Sequence, residues 1–385
     1  MILLISLDPG SSMTKVVYRV LPDGCSELEA LCTESGAGEI LCMEPEVIKV
    51  NKESIELYES RKISSIHPEN EAWIELEQEF YALGFLAQKF FDARSNLEDL
   101  KYERAILKVL AVVGTIAVKL GLATQLDLSL ALLLPYGEWE DRKKLEVALV
   151  SALSNFHFRG QQFNVNLKIF NCMPEGGGLI LVKNKRIGSD VFKSMNIAVL
   201  MLGYRDISSV VFEKGISSGS SDRYGLTWML EKIKDSTSGQ SLSQLVKPIH
   251  FSGRSPKVKD LKDLARSKKA DFRAQEIDQL VKVTIQARKL YWDKVCDWIS
   301  LEIPRNIDLV IIGGGTSNYF SKELKSYFSH ARISWAAELK QDVILAFDLS
   351  PNKDELALRF TDVYGLYRYL QKITLDTISQ LGNKG

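Results

Sequence analysis

The chain has 385 residues, of which 45% are hydrophobic and 25% are charged. This length suggests two or three domains, and the composition excludes a chain that is disordered throughout. Lys plus Arg and Asp plus Glu are both 49, so the formal net charge is zero. A general attraction of the whole protein to DNA or to an anionic membrane is therefore excluded, and only a local patch could supply one.

The cysteines, the histidines and the apolar segments indicate the compartment. The five cysteines and four histidines are sparse and lack metal-ligand spacing, so we expect neither a disulfide framework nor a zinc site. The N-terminal MILLIS carries no basic residue, unlike a signal peptide, and the apolar stretch 105–123 contains Lys108 and Lys119. These features predict a cytoplasmic protein that does not span a membrane.

The first candidate site lies near the start of the chain, in the segment ILLISLDPGSSMTKVVYRV. Two β-branched runs around a Gly/Ser turn predict strand, tight turn and strand. A turn at Gly10 lets backbone N–H groups converge on phosphate oxygens, and Ser11 and Ser12 add hydroxyl donors. Lys15 can place an ammonium near terminal phosphates, and Asp8 could hold a hydrated Mg²⁺. A plain β-hairpin is the alternative interpretation.

Strand and helix patterns alternate along the rest of the chain, which predicts the α/β class. The expected elements are strands joined near Asn51 within 40–58, a strand over 75–83, a helix over 102–122, a strand over 126–134, a helix over 142–155, a strand over 165–172, and helices over 225–234, 276–300 and 356–371.

The second candidate site repeats the first pattern, in the segment IAVLMLGYRDISSVVFE. Gly203, Tyr204 and Arg205 form its turn and could make a matching second phosphate clamp. A hairpin turn with a solvated Arg205 and Asp206 is the alternative. Two such beginnings, about half a chain apart, predict two similarly built domains that face each other.

The third candidate site is a strand, three glycines and a helix, in the segment IDLVIIGGGTSNYFSKELKSYF. Gly313, Gly314 and Gly315 remove side chains where a flat ligand could lie, and the helix N-terminus adds a favourable partial charge. A tight strand-to-helix turn also uses glycine, so this motif alone is weak evidence.

A basic segment lies over 247–273, with nine Lys or Arg and three Asp. Such a charge run predicts a solvated, mobile loop or a small subdomain. A contact patch for DNA or for a neighbouring subunit is the alternative.

The order and spacing of the three glycine sites resemble the actin-like ATPase superfamily. The greatest likeness is to the ParM/StbA-type plasmid-segregation actins of bacteria and to their archaeal and cyanobacterial relatives. Four further segments are similar to that family, namely LLPY before Arg142, FNCMPE over 170–175, SSDRYG over 220–225 and FTDVYGLY over 360–367.

This resemblance implies an α/β, two-domain actin-like fold of the duplicated ribonuclease H-like type, with a nucleotide cleft between the domains. Domain I is expected over 1–196, with a small subdomain at about 33–90 and a C-terminal helix, 355–385, that returns to it. Domain II is expected over 197–354, with its smaller part at about 235–290.

The resemblance also implies the roles of the site residues. Glu175 would orient the attacking water, Asp8 would hold Mg²⁺ through water, and the two hairpin turns would bind the phosphates. The adenosine side would be formed by Gly225, by Gly313–Gly315 and by Thr316. ATP is the expected nucleotide, with GTP as the alternative. The expected partners are further copies of the chain in a filament and a DNA-binding adaptor that links the filament to a plasmid.

One residue departs from the family pattern. Family members usually carry Asp two residues before the glycine of the second hairpin, which is Gly203 here, and this chain has Met201 at that position. A thioether is a poor Mg²⁺ ligand, so we expect a slow ATPase. A scaffold with this fold that binds nucleotide without efficient hydrolysis is the first alternative function. A small-molecule kinase of the same superfamily is the second, although no sugar-contact motif is present.

Overall fold

The structure, a computed structural model, describes residues 1–22, 38–64, 67–94, 100–214, 216–349 and 353–382. The chain divides into two compact units: unit 1 is Met1–Arg186 with Ala337–Gly385, and unit 2 is Ile187–Ala336.

The described part of unit 1 contains a sheet with the strand order β3-β2-β1-β7-β9-β8-β5-β6-β4. Its strands are β1 (Ile2–Pro9), β2 (Thr14–Leu21), β3 (Glu39–Met43), β4 (Val47–Val50), β5 (Trp73–Leu76), β6 (Glu79–Leu83), β7 (Gln125–Leu134), β8 (Phe156–Phe158) and β9 (Gln161–Pro174).

The sheet that the structure describes in unit 2 has the order β12-β11-β10-β13-β14. Its strands are β10 (Ile197–Leu202), β11 (Ile207–Glu213), β12 (Ile216–Asp222), β13 (Leu309–Gly313) and β14 (Arg332–Trp335).

Helices follow half of the described strands. They are α1 (Lys52–Arg61), α2 (Gly84–Phe90), α3 (Lys101–Leu120), α4 (Tyr136–Trp139), α5 (Arg142–Ser154), α6 (Gly177–Ile187), α7 (Ser189–Ser194), α8 (Leu226–Asp235), α9 (Leu242–Ser252), α10 (Val258–Leu261), α11 (Ala270–Glu302), α12 (Ser321–Tyr327), α13 (Ala337–Ala346) and α14 (Lys353–Gly382), with 3₁₀ turns at Pro68–Glu71, Lys262–Leu264 and Ser317–Phe320.

The two sheets share one arrangement. In unit 1, β1 pairs antiparallel with β2 and parallel with β7, and β3 and β9 continue the sheet on either side. In unit 2, β10 pairs antiparallel with β11 and parallel with β13, and β12 and β14 occupy the corresponding places. The internal repetition that the sequence predicts is therefore present in the order and direction of the strands.

Each unit has its own apolar core. In unit 1, α3 and α5 pack on the central strands, and β7 is buried over nearly its whole length, as is usual for a parallel strand covered on both faces. A smaller apolar cluster in the same unit joins α1, α2, β5 and β6. In unit 2, α8, α9 and α11 cover the sheet. Among the helices of the described residues, none is long and apolar enough to cross a membrane.

Three segments differ from the sequence prediction. Residues 40–58 contain β3 and β4, but from Lys52 onward they form α1, because Asn51 caps a helix by accepting the Ser54 N–H at 2.8 Å. Residues 75–83 are the hairpin β5–β6 rather than one strand, since Glu77 and Gln78 turn the chain with positive φ.

The third segment, 247–273, was expected to be a mobile loop or a small subdomain, and the loop expectation is wrong because the segment is largely helical. The side chain of Ser241 accepts the Gln244 N–H, and the side chain of Gln244 accepts the Ser241 N–H, so both ends of this capping box are satisfied at the start of α9. Leu245 and Ile249 on α9 are fully buried in the unit 2 core.

Helices α6 and α14 of unit 1 approach each other backbone to backbone. The close approach is at Gly178 and Gly365, where a Cβ on Gly365 would lie 2.5 Å from the carbonyl oxygen of Gly178. A Cβ on Gly178 would collide with the carbonyl of Asp362. Only glycine fits this contact, because the colliding atoms are backbone and cannot rotate away.

We therefore predict that Gly178→Ala lowers the free energy of unfolding by about 2 kcal/mol or more, as overpacking against rigid atoms does. Urea denaturation measures the loss. Gly121→Ala is the matched control, because Gly121 is in the left-handed conformation but faces open space. It should cost only about 1 kcal/mol of backbone strain. Equal losses in the two variants would contradict the close approach.

Candidate functional site

The candidate site of unit 1 lies where three parallel strands end. β1, β7 and β9 run in the same direction, so their carboxyl ends share one edge of the sheet. Asp8 is the next-to-last residue of β1, and Glu175 directly follows β9. The backbone N–H of Glu175 donates to the carbonyl of Leu134 at the end of β7, at 2.7 Å. This edge is where ligands bind in many α/β sheets.

The first hairpin turn presents a carboxylate and an ammonium together. Asp8 is opposite Lys15 in the β1–β2 register, and their side chains form an ion pair. Burial alone would raise the pKa of Asp8, but Lys15, Lys101 and Lys108 more than offset it and hold that pKa below its ordinary value. Asp8 is therefore a carboxylate in a positively charged environment.

Two other predicted residues of this turn have clear positions. A Cβ on Gly10 would lie 2.7 Å from the Met13 carbonyl, so the turn is too tight for any other residue without movement. The hydroxyl of Ser12 accepts a hydrogen bond of 2.8 Å from Arg359 on α14. Ser11 lies between them in the same turn.

Glu175 is held by a lysine that sequence reasoning missed. The Nζ of Lys101 lies 2.5 Å from the Glu175 Oε1, and both side chains are mostly buried. Lys101 is the first residue of α3, and Glu138 fixes that end of the helix by accepting the Tyr102 N–H at 2.9 Å. The carboxylate of Glu175 thus has a defined orientation rather than that of a mobile turn residue.

Asp362 on α14 is a second missed residue. Its carboxylate accepts N–H bonds from Gly176 at 2.6 Å, Gly178 at 2.9 Å and Leu179 at 3.3 Å, which are the first donors of α6. It thus caps the helix that follows Glu175. Burial raises the pKa of Asp362 to about 7, and the charges of Asp8 and Glu175 act in the same direction.

A charged residue within an apolar helical run was the signal that could have identified Asp362, since such a residue is buried only with partners. Lys108 on α3 gives the same signal. Its side chain is 5% exposed, and its Nζ donates to the carbonyl oxygens of Pro9 at 3.2 Å and Gly10 at 3.3 Å. Burial lowers the pKa of Lys108 to about 7, and the nearby Lys101 acts in the same direction.

The candidate residues of unit 2 also lie together. The carbonyls of Gly203, Tyr204 and Arg205 accept the N–H groups of Leu226, Thr227 and Gly225, respectively, at the start of α8. The Thr316 hydroxyl donates to the Gly203 carbonyl at 2.9 Å, and the Thr316 N–H donates to the Leu202 carbonyl at 3.1 Å.

Glycine is required at two places in this group. Gly314 has φ of +87°, and a Cβ on it would collide with the Leu202 carbonyl. A Cβ on Gly225 would collide with the backbone of Tyr204 and Arg205. The second hairpin turn, the start of α8 and the three-glycine loop, Gly313–Gly315, are therefore one packed structure.

Arg205 and Asp206 are buried, rather than solvated as the hairpin alternative supposed. The Nε of Arg205 donates to both carboxylate oxygens of Asp206, at 2.9 and 2.8 Å. Met201 is also buried and is opposite Ser208 on β11 and Gly313 on β13. The Arg205 guanidinium is engaged within the turn, and binding of phosphate by Gly203, Tyr204 and Arg205 stays a prediction.

The chemistry of the unit 1 group suits a phosphate ligand. Lys15, Lys101 and Lys108 surround three carboxylates, beside a tight glycine turn whose backbone can approach an anion closely. Within the described residues, no three His, Cys, Asp or Glu side chains could hold a metal ion by themselves. Mg²⁺ is commonly held by one carboxylate, water and substrate phosphates, so a single ionised Asp8 fits a metal that arrives with a nucleotide.

Comparisons with known proteins agree on the fold. No family model matches this sequence, and no curated protein sequence matches it. Among solved structures, the apo pSK41 ParM protein aligns with a TM-score of 0.55 and 11% identity, over 97% of this chain and 99% of that chain. The Alp12 filament structure aligns with a TM-score of 0.53 and 14% identity, over 96% and 98% of the two chains.

The archaeal actin homolog Ta0583, in its complex with ADP, aligns with a TM-score of 0.52 and 12% identity, over 96% of this chain and 99% of that chain. At such identities the likeness is one of fold. This chain is therefore an α/β protein with the actin-like fold, as its sequence motifs predict. The structures that it resembles include the pSK41 ParM protein and an archaeal actin homolog.

Asp362 provides a test of the site's electrostatics. Its pKa of about 7 in the folded chain is above the ordinary 3.8, so the folded state binds the proton more tightly. Its contribution to stability is full below about pH 4 and is lost as the pH rises through 7. We predict that the wild type loses stability relative to Asp362→Asn between pH 4 and pH 7, by an amount on the order of a few kcal/mol.

Urea denaturation at several pH values measures this difference. Asp376→Asn is the matched control, because Asp376 lies on the exposed side of the same helix. Parallel pH profiles for the wild type and the Asp362 variant would contradict the assignment.

Proposed function

We propose that this chain is a nucleotide-dependent actin-like protein that binds ATP with Mg²⁺ and assembles into filaments. The observation that carries the proposal is the group around Asp8, where three lysines and a tight glycine turn meet the ends of three parallel strands. An anion with several oxygens suits these donors, because ammonium groups and backbone N–H groups both favour phosphate.

Each predicted residue has a role in this proposal. The turn of Gly10, Ser11 and Ser12 would contact phosphate oxygens, and Lys15 would neutralise their charge. Glu175, oriented by Lys101, would accept a hydrogen bond from the attacking water. Mg²⁺, when bound, supplies further charge neutralisation, and Asp8 would hold it through water. In unit 2, Gly203, Tyr204 and Arg205 would contact phosphate oxygens, and Gly225, Gly313–Gly315 and Thr316 would line the adenosine.

The structures of similar fold support the two parts of the proposal. The archaeal actin homolog was solved with ADP, and Alp12 was solved as a filament. A fold can carry more than one function, so these likenesses count as analogy. We further propose a cytoplasmic role in DNA segregation, in which a DNA-binding adaptor joins the filament to a plasmid.

Met201 favours a second candidate, a scaffold with this fold that binds nucleotide and hydrolyses it slowly or not at all. Its buried thioether is at the position where family members have a carboxylate, and the nearby carboxylate of Asp206 is paired with Arg205. In either version, nucleotide binding rather than hydrolysis would drive assembly.

We predict that the purified chain pellets at high speed with Mg-ATP and stays in solution without nucleotide. A non-hydrolysable ATP analogue should work as well as ATP, because Met201 limits hydrolysis but not binding. Mg-GTP tests the alternative nucleotide. A chain that stays in solution under all four conditions would refute the filament proposal and favour a kinase or a monomeric switch.

Lys15→Ala should weaken ATP binding about 10-fold or more, because a charge-assisted contact to phosphate is lost. Lys168→Ala is the matched control, since Lys168 is a half-exposed lysine that pairs with Asp127. Isothermal titration with ATP measures both. Equal ATP affinities of the Lys15→Ala and Lys168→Ala variants would show that Lys15 does not contact the phosphates.

Direct DNA binding through 247–273 is a separate and less favoured proposal, because the net charge of the chain is zero. Neutralisation of phosphates by the exposed lysines of this segment releases counterions, so binding should weaken steeply as salt rises. Fluorescence anisotropy with duplex DNA measures this at about 50 to 200 mM salt, because electrostatic binding to DNA is largely lost over this range. A flat response would refute it.

A further inference from the structure

Lys108 has no role in the proposed function so far, although it touches the turn on which that function rests. Its side chain crosses from α3 to the end of β1, and its Nζ donates to two successive carbonyls, those of Pro9 and Gly10. Backbone groups can be satisfied without a charge, so a buried ammonium at this place needs another explanation.

The geometry of the peptide bond gives an explanation for this buried ammonium. In a trans peptide the C=O and the N–H point in opposite directions across a rigid plane. The Pro9 carbonyl shares its plane with the Gly10 N–H, and the Gly10 carbonyl shares its plane with the Ser11 N–H. Because both carbonyls are directed towards Lys108, these two N–H groups are directed to the other side of the turn.

The charge of Lys108 also favours an anion at the turn. Its charged neighbours are the acids Asp8 and Glu46 and the bases Lys101 and Arg104. Asp8 is already paired with Lys15, and Lys108 makes its hydrogen bonds to carbonyls instead. It thus adds positive potential on the carbonyl side of the turn, opposite to the Gly10 and Ser11 N–H groups.

We propose that Lys108 is a positioning residue that fixes the two peptide planes of the Gly10 turn, so that the Gly10 and Ser11 N–H groups are aimed at a nucleotide's β- and γ-phosphates before it binds. This inference rests on the proposed function and adds to it a preset turn. Such a turn does not have to reorganise at the moment of binding, which is the usual advantage of preorganised donors.

Lys108→Met, which keeps the length of the side chain but removes its charge, tests the inference in the full chain. Titration with fluorescently labelled ATP, ADP and AMP should show a loss of affinity for ATP and ADP of about 10- to 100-fold, the usual cost of a charge-assisted hydrogen bond. Affinity for AMP should change less than about 3-fold, since AMP lacks the terminal phosphates. Lys119→Met, on the exposed end of the same helix, is the matched control and should change none of the three affinities.

If Lys108 has a merely structural role, the substitution would weaken the binding of all three nucleotides in parallel and lower the melting temperature. That result overturns the inference. Unchanged ATP affinity in a folded Lys108→Met variant overturns it as well. If the wild type itself binds no nucleotide, the proposed function falls first and this inference falls with it.

A second measurement uses the wild type alone and does not depend on the folding of a variant. The NMR signals of the Gly10 and Ser11 amides should shift when ATP is added. ATP binding that leaves both amide signals in place shows that these N–H groups do not face the ligand, and the inference is then overturned.

Discussion

The site of unit 1 depends on one buried carboxylate, that of Asp362. It accepts three backbone hydrogen bonds at the start of α6. The backbone carbonyl of Asp362 lies against Gly178, where α6 meets α14. Glu175 lies two residues before that helix, so its position follows from the cap. A carboxylate buried this deeply is tolerated only because backbone N–H groups at the start of the helix donate hydrogen bonds to it. The closeness of the two backbones and the orientation of Glu175 are therefore consequences of the same contact.

Charge balance explains why the rest of the group is so dense. Three carboxylates meet three lysines at the end of a sheet whose central strands β1 and β7 are mostly apolar and buried. Each lysine makes a different contact, since Lys15 pairs with Asp8, Lys101 pairs with Glu175 and Lys108 donates to backbone carbonyls. Two groups of opposite sign, Lys108 and Asp362, both have a pKa of about 7, because burial opposes charge on both. Small changes in what lies nearby can therefore change their protonation.

The sequence predicted the parts of this fold that have a local signature. The two hairpins, the strand before Gly313 and the helix over 102–122 follow from hydrophobic pattern and turn residues, and each is present. Asp8 and Lys15 were identified because they lie seven residues apart across one turn. Lys101, Lys108 and Asp362 were not, because their partners are between 74 and 186 residues away and no periodicity reveals such contacts. The helix at 52–61 was missed for a different reason, since Asn51 signals a turn and a helix cap equally well.

The path of the chain has a consequence for how the protein is made. α14 belongs to unit 1, yet it follows all of unit 2 in the sequence. Domains generally fold as units while the chain emerges from the ribosome. Unit 2 is contiguous and can close its core as soon as β14 is synthesised, whereas unit 1 lacks Asp362 and Gly365 until α14 is synthesised. The unit that begins the chain is thus the later one to be completed, and its site gains Asp362 only after all of unit 2 has been made.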